Sequence, residues 1–181
     1  MNAYSKWLAV LLVLLLLFIY PLLETFEREE DMSYLISWNA VTRFVDAARN
    51  KGGITPAMYN DFIDILRATG NEYEITMVHE HKRYDPVYLD PLNPDTFQGN
   101  YAVHYEAYYQ QQIMKILFPD TSQTIEDPGR HYKMAEGDFF HVQIRQINQT
   151  PYEVLSQALN NGGSRVKLTI PYGGMVRNED E

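Results

Sequence analysis

The sequence predicts an α+β fold, in which an N-terminal transmembrane helix runs on into a long helix packed on a small, mainly antiparallel sheet. Three observations carry this. Trp7 to Leu23 is an uncharged run of 17 residues, nine of them leucine. From Leu35 to Ala48 apolar residues recur at steps of three and four, the period of a helix with one buried face. Around residues 72–83 and 139–147 the period drops to two, as in a half-buried strand.

The apolar run comes first. At 1.5 Å per residue a helix of that length covers about 26 Å, the short end for a hydrocarbon core of about 30 Å. It has no polar stripe, which a helix buried at the edge of a core would carry. Trp7, Leu11, Leu14, Phe18 and Leu22 are the expected anchor residues, in contact with the lipid bilayer. The run is longer than a cleaved signal peptide's apolar region, and Tyr20-Pro21-Leu22-Leu23-Glu24 offers no small-x-small cleavage site, so an uncleaved signal anchor is expected. Lys6 precedes the run, and Glu24, Glu27, Arg28, Glu29, Glu30 and Asp31 follow it. A six-residue tail before the run and a long domain after it predict a cytoplasmic N-terminus and an extracytoplasmic domain in the cell membrane. The expected division is a tail over 1–6, a span over 7–23, a helical stalk over 24–53 and an α+β domain over 54–181.

Composition narrows the function classes. Beyond Leu23 lie 24 acidic and 14 basic residues, a formal charge of −10, so no basic patch is available for nucleic acid. The chain has no cysteine, which excludes disulfides, thiolate metal sites and cysteine nucleophiles. An exported domain without disulfides must be held by burial, and 14 Tyr and 8 Phe supply the means. Such a chain fits a bacterial origin better than an animal ectodomain.

The stalk continues the span or lies in line with it. Leu35, Trp38, Val41 and Val45, with Phe44 beside them and Ala48 next, form its apolar stripe. The stripe packs either on the chain's own domain or on neighbouring subunits, and Leu35, Trp38, Val41 and Val45 are the candidate interface residues. Asn50-Lys51-Gly52-Gly53 ends the helix. Thr55-Pro56 opens a compact helix, with Thr as N-cap and Pro at the first helical position, burying Met58, Phe62, Ile65 and Leu66 and closing at Gly70. Glu72 to Arg83 alternates as a strand. Residues 84–103, with Asp85-Pro86, Asp90-Pro91 and Asn93-Pro94-Asp95, read as a long loop. His104 to Phe118 has helical spacing through Tyr105, Tyr109, Ile113, Ile116 and Leu117, and Thr121 to Arg130 is polar loop. Phe139 to Ile147 is a strand with Phe140, Val142 and Ile144 on one side. Thr150-Pro151-Tyr152-Glu153 is a capping box that starts a short helix. Arg165 to Ile170 is a last strand, followed by a turn at Pro171-Tyr172-Gly173-Gly174.

The chemistry-bearing candidates are few. His79 and His81 share one face of a strand, where two imidazoles can serve one metal ion. His141 on the next strand is the candidate third ligand, with Glu106 or Asp138 to complete a shell. No H-E-x-x-H or comparable motif accompanies them, and Lys82 and Arg83 follow directly. The expectation is therefore no metal and no cofactor. Asp85, Asp90, Asn93 and Asp95 lack the spacing of a calcium loop and explain themselves as turn residues. No G-x-S-x-G or phosphate-cradling glycine loop is present, and no catalytic residue is assigned.

A short basic tip, a Leu-rich span, an in-line helix and a small α+β domain resemble the pilin-like and pseudopilin membrane proteins of tight-adherence (Tad) systems in Gram-positive bacteria. Val41-Thr42-Arg43-Phe44-Val45-Asp46-Ala47-Ala48-Arg49-Asn50-Lys51-Gly52 with Ile54-Thr55-Pro56-Ala57-Met58-Tyr59, and Gly137-Asp138-Phe139-Phe140-His141-Val142, are similar to stretches of such proteins. The resemblance implies a pilin-like fold and a non-enzymatic role in a pilus or secretion apparatus. It implies partners among membrane, pilus or secretion proteins, a further copy of the chain included. Residues 1–6 hold no Gly and the apolar run no Glu, departing from the prepilin pattern of cleavage and filament register. A permanently anchored accessory component is expected rather than a filament subunit. The alternatives are an exported ligand-binding or sensory module, with residues 84–103 and the tyrosines forming a pocket, and an exported metal-dependent hydrolase using His79, His81 and His141.

Overall fold

The computed structural model describes residues 3–120, 124–160 and 167–178. Its frame is one helix, α1 (Ala3–Asn50), unbroken from the apolar run to the glycine pair that ends it. At 1.5 Å per residue it is about 72 Å long. Pro21 sits inside it without ending it, and the Thr25 hydroxyl donates to the Pro21 carbonyl at 2.8 Å. The apolar window of α1 is long and hydrophobic enough to cross a membrane, and none of it is buried against the rest of the chain.

Burial on α1 starts beyond the apolar window. Ser33, Ser37, Ala40, Val41, Phe44, Val45 and Ala48 form the buried seam. The seam is rotated from the one expected, because Ser33 and Ser37 face inward and Leu35 and Trp38 lie beside it, 52% and 39% exposed. The small serines let the helix approach the domain closely, and the Ser37 hydroxyl is satisfied by the Tyr73 hydroxyl at 2.8 Å. Val41 and Val45 are fully buried inside the chain's own domain, so they are corrected as interface candidates: no second protein can reach them. The stretch expected to be a stalk is, from Ser33 onward, part of the domain, and it supplies Ala40, Val41, Phe44, Val45 and Ala48 to the core.

β1 (Gly53–Ile54) pairs with β4 (Tyr132–Lys133), and α2 (Pro56–Ala68) packs on α1. Thr55 caps α2 through its side chain, accepting from the Met58 N–H, with Pro56 at the first helical position, as the sequence predicts. Phe62 of α2 stacks on Phe44 of α1 at 4.6 Å, and Phe140 meets Phe44 edge-on at 6.2 Å. Burying one such ring is worth about 1.5–3 kcal/mol.

The main sheet is antiparallel in the order β3-β2-β5-β6, from β2 (Tyr73–Tyr88), β3 (Phe97–Tyr109), β5 (Phe139–Gln146) and β6 (Thr169–Met175). Phe140, Val142 and Ile144 face α1 and α2 and are buried, whereas His141, Gln143 and Arg145 are exposed on the other face. The alternation read in the sequence is therefore the real division of the sheet. α4 (Pro151–Asn160) follows β5 and starts with the predicted reciprocal cap: the Thr150 hydroxyl accepts from the Glu153 N–H, and the Glu153 carboxylate from the Thr150 N–H.

Three expectations are overturned. Residues 84–103 are not a loop: β2 runs to Tyr88 and β3 starts at Phe97, leaving only a tight connection held by the Asp90, Asn93 and Thr96 side chains. Residues 104–109 belong to β3, and only α3 (Gln110–Leu117) is helical. Pro171-Tyr172-Gly173-Gly174 lies within β6 rather than forming a turn; β6 is an edge strand, where proline is tolerated. Residues 165 and 166 of the expected last strand lie outside the described residues.

The register also sets a direction. Arg49, near the top of α1, donates to the Met175 carbonyl; Met175 pairs with Phe139, and Phe139 with Glu80. Residues 81–88 of β2 and their β3 partners therefore continue past the top of α1 as a two-stranded arm, remote from the apolar run. Its tyrosines Tyr84 and Tyr101 are 58% and 59% exposed, so they do not wall the pocket that a ligand-binding module would need.

Candidate functional site

One polar cluster stands out at the upper edge of the core. His79 and His81 point to the same face of β2, with His79 buried and His81 half-buried. Gly137, in the left-handed region at φ +88°, turns the chain into β5 and delivers Asp138, which is 1% exposed. β4 supplies Tyr132. The Asp138 carboxylate takes His79 Nε2 at 2.8 Å and His81 Nδ1 at 3.0 Å, and accepts from the N–H groups of Lys82 at 2.9 Å and Ala135 at 2.7 Å.

These contacts fix the protons. An ionised carboxylate only accepts, so both histidines donate to Asp138. A neutral His79 donating through Nε2 has its lone pair on Nδ1, which accepts from the Tyr132 hydroxyl at 2.7 Å. Burial pushes the His79 pKa down, and the hydrogen bond and charge of Asp138 only partly oppose it. Burial by itself raises the Asp138 carboxyl. The hydrogen bonds from Lys82, His79, Ala135 and His81 together outweigh it and hold the carboxyl below its ordinary value. Burial raises the Tyr132 phenol, with the Tyr108 and Asp138 charges acting the same way, so it stays protonated and is no nucleophile. The resting cluster is thus a neutral His79 between a phenol donor and a carboxylate. It ties β2, β4 and the start of β5 together. Among the described residues no buried side-chain nitrogen or oxygen lacks a hydrogen-bond partner.

His79, His81 and Asp138 are also the described residues able to hold a metal ion, with one ligand atom from each lying within 4.8 Å of the others. A cation would have to replace both imidazole protons that now bind the carboxylate. An open recess with Tyr108, Gln112, Ile116 and Lys133 in its lining gives access from solvent.

The sequence placed two of the three groups through the His-x-His spacing. It chose the wrong partner in His141, which pairs with Val78 and so lies on the opposite face of the sheet. His141 stacks on Phe139 and faces Glu80 at 3.7 Å. Glu106 is engaged by Arg83 at 3.0 Å. Asp138, named only as a fallback ligand, is the centre of the cluster. Tyr132 carried no sequence signal, because it follows a polar stretch without periodicity.

A second feature lies on α1. Met32, Leu35 and Ile36 are 58%, 52% and 39% exposed, and Trp38, 39% exposed, lies tilted against Tyr34 at 6.5 Å and edge-on to Tyr172 at 6.3 Å. Met32 and Leu35 lie on the side of α1 turned away from the buried seam, and Ile36 and Trp38 on its two flanks.

Compared with known proteins, the chain matches no family model, no curated protein and no solved structure.

Proposed function

We propose that this chain is a single-pass, membrane-anchored accessory component of a pilus or secretion-type apparatus, pseudopilin-like in architecture and acting by protein–protein assembly. In this reading the N-terminal tail lies in the cytoplasm and the α+β domain outside the membrane. The observation that carries it is α1 itself, bare through its apolar window and buried from Ser33 upward. Anchor and domain core are one helix, so a force or a contact on the domain reaches the bilayer without a hinge.

The patch at Met32, Leu35, Ile36 and Trp38 supports assembly over lipid contact. Leu35 stands about 18 Å beyond Leu23 along the helix, past the headgroup layer of about 5–8 Å on each side. Apolar side chains at that height, on a helix already packed on its other side, are suited to a protein partner. The tyrosine-bearing arm at the far end is a second exposed surface.

The test is photo-crosslinking in intact membranes with a crosslinking amino acid at Leu35 or Trp38, against Val41 as the buried control. The proposal expects protein adducts from Leu35 and Trp38 and only internal ones from Val41. Adducts to lipid alone, or none at all from the exposed positions, would sink it.

A further inference from the structure

α4 lies against α1, and its Tyr152, Ser156 and Leu159 line one open recess with Tyr20, Leu23, Glu24 and Glu27 of α1. Leu23 is the last residue of the apolar run. At 1.5 Å per residue the α1 side of this contact extends from about 4 Å below the end of the run to about 6 Å above it. That height coincides with the boundary between acyl chains and headgroups.

The exposed side of α4 suits that depth. A helix on the water-facing surface of a domain carries charged residues outward. α4 has one charged side chain, Glu153, and it is turned in: it is 7% exposed, caps the Thr150 N–H and lies 3.7 Å from Lys167 Nζ. Outward stands Val154, 54% exposed, with Pro151 and Ala158 also exposed, and Leu159, 49% exposed, lies at the rim of the recess shared with α1. The capping box matters here, because it removes the only charge from a face that would otherwise carry it into lipid. Below the patch on α1, the domain thus presents a second apolar surface, continuous with the flank of the span.

We propose that α4 is an interfacial helix that rests on the lipid surface, with Val154, Ala158 and Leu159 in the headgroup–acyl boundary. The anchor is then two-part: α1 crosses the bilayer, and α4 fixes the height and tilt of the domain above it. The proposal rests on reading Trp7–Leu23 as the span.

The chain has no cysteine, so single cysteines report cleanly. The full chain is reconstituted in phosphatidylcholine vesicles with an environment-sensitive fluorophore on Val154→Cys, Ala158→Cys, Leu14→Cys or Tyr84→Cys. Nitroxide-labelled lipids carry the quencher either near the headgroup or deep in the acyl chain. Val154→Cys and Ala158→Cys are expected to shift to shorter wavelength and to lose emission to the shallow nitroxide, Leu14→Cys to the deep one, and Tyr84→Cys to neither. Leu14→Cys quenched, with Val154→Cys and Ala158→Cys no more affected than Tyr84→Cys, overturns the interfacial helix and leaves the span intact. Leu14→Cys unquenched overturns the span and this proposal with it.

Discussion

Asp138→Asn probes the cluster at the point where most of its contacts meet. The substitution keeps shape and volume but replaces one acceptor oxygen by an NH₂ donor. Four donors now converge on the carboxylate: the N–H groups of Lys82 and Ala135 and the rings of His79 and His81. With the amide oxygen kept toward Lys82 and His81, the NH₂ group faces His79 and the Ala135 N–H. His79 can switch tautomer, accept from the amide and donate to Tyr132. The Ala135 N–H cannot adapt, and a buried unpaired donor costs about 1–3 kcal/mol. The remaining bonds lose their charge assistance, roughly half their strength. Together these give a loss of about 3–5 kcal/mol. For a chain of this size that is a fall of about 6–20 °C in melting temperature. The measurement is thermal unfolding of the full chain in detergent, followed by near-ultraviolet circular dichroism. Asp95→Asn, on the exposed hairpin connection, is the control and should change stability by less than about 0.5 kcal/mol. A loss below about 1 kcal/mol for Asp138→Asn would mean that the cluster does not hold β2, β4 and β5 together.

Three further outcomes follow from the same geometry. His79 has a lowered pKa, so the unfolded chain takes up the proton first; stability is full above about pH 6.5 and declines as pH falls through the folded value. His131, lowered by burial and by Lys133, adds in the same direction, and Asp138 brings a second loss below about pH 3.9; a melting temperature that rises between pH 7 and pH 5 would contradict this. Tyr132→Phe leaves His79 Nδ1 without its donor and should cost about 1–2 kcal/mol, while nitrogen NMR still finds the Nε2–H tautomer held by Asp138. Gly53→Ala would bring a Cβ to 2.6 Å from the Tyr132 carbonyl and 2.4 Å from the His131 ring, forcing β1 off β4; a cost of about 1–3 kcal/mol is expected in chemical denaturation, and an unchanged midpoint would contradict it.

What the sequence made legible was what short-range chemistry decides. The α2 cap at Thr55, the capping box at Thr150 and Glu153 and the inward set Phe140, Val142 and Ile144 all form where local pattern places them. What it hid depends on partners far along the chain. Tyr105, Tyr109 and Ile113 fit a helical spacing, but residues 101–109 are drawn into the sheet by pairing with β2, and the helix begins only at Gln110. Pro171, Gly173 and Gly174 have turn chemistry, yet they lie on an edge strand where the His141 and Arg49 side chains leave no room for a Cβ at the two glycines. At the candidate site the His-x-His spacing was readable, whereas its partner turned on strand parity. Asp138 and His141 are three residues apart, an odd number, so Asp138 falls on the side of His79 and His141 on the other, a distinction that only register supplies. The rotated seam of α1 has a similar origin: Ser33 and Ser37 face inward because Thr69 and Tyr73 offer them hydrogen bonds.

The central claim is that α1 crosses the membrane and leaves the α+β domain outside it. Ser5→Cys and Asp61→Cys, both at exposed positions in a chain without native cysteine, test it with one membrane-impermeant maleimide. The account predicts that Asp61→Cys is labelled on intact cells and Ser5→Cys only after the membrane is permeabilised. Labelling of Ser5→Cys on intact cells, or protection of Asp61→Cys until permeabilisation, would contradict it.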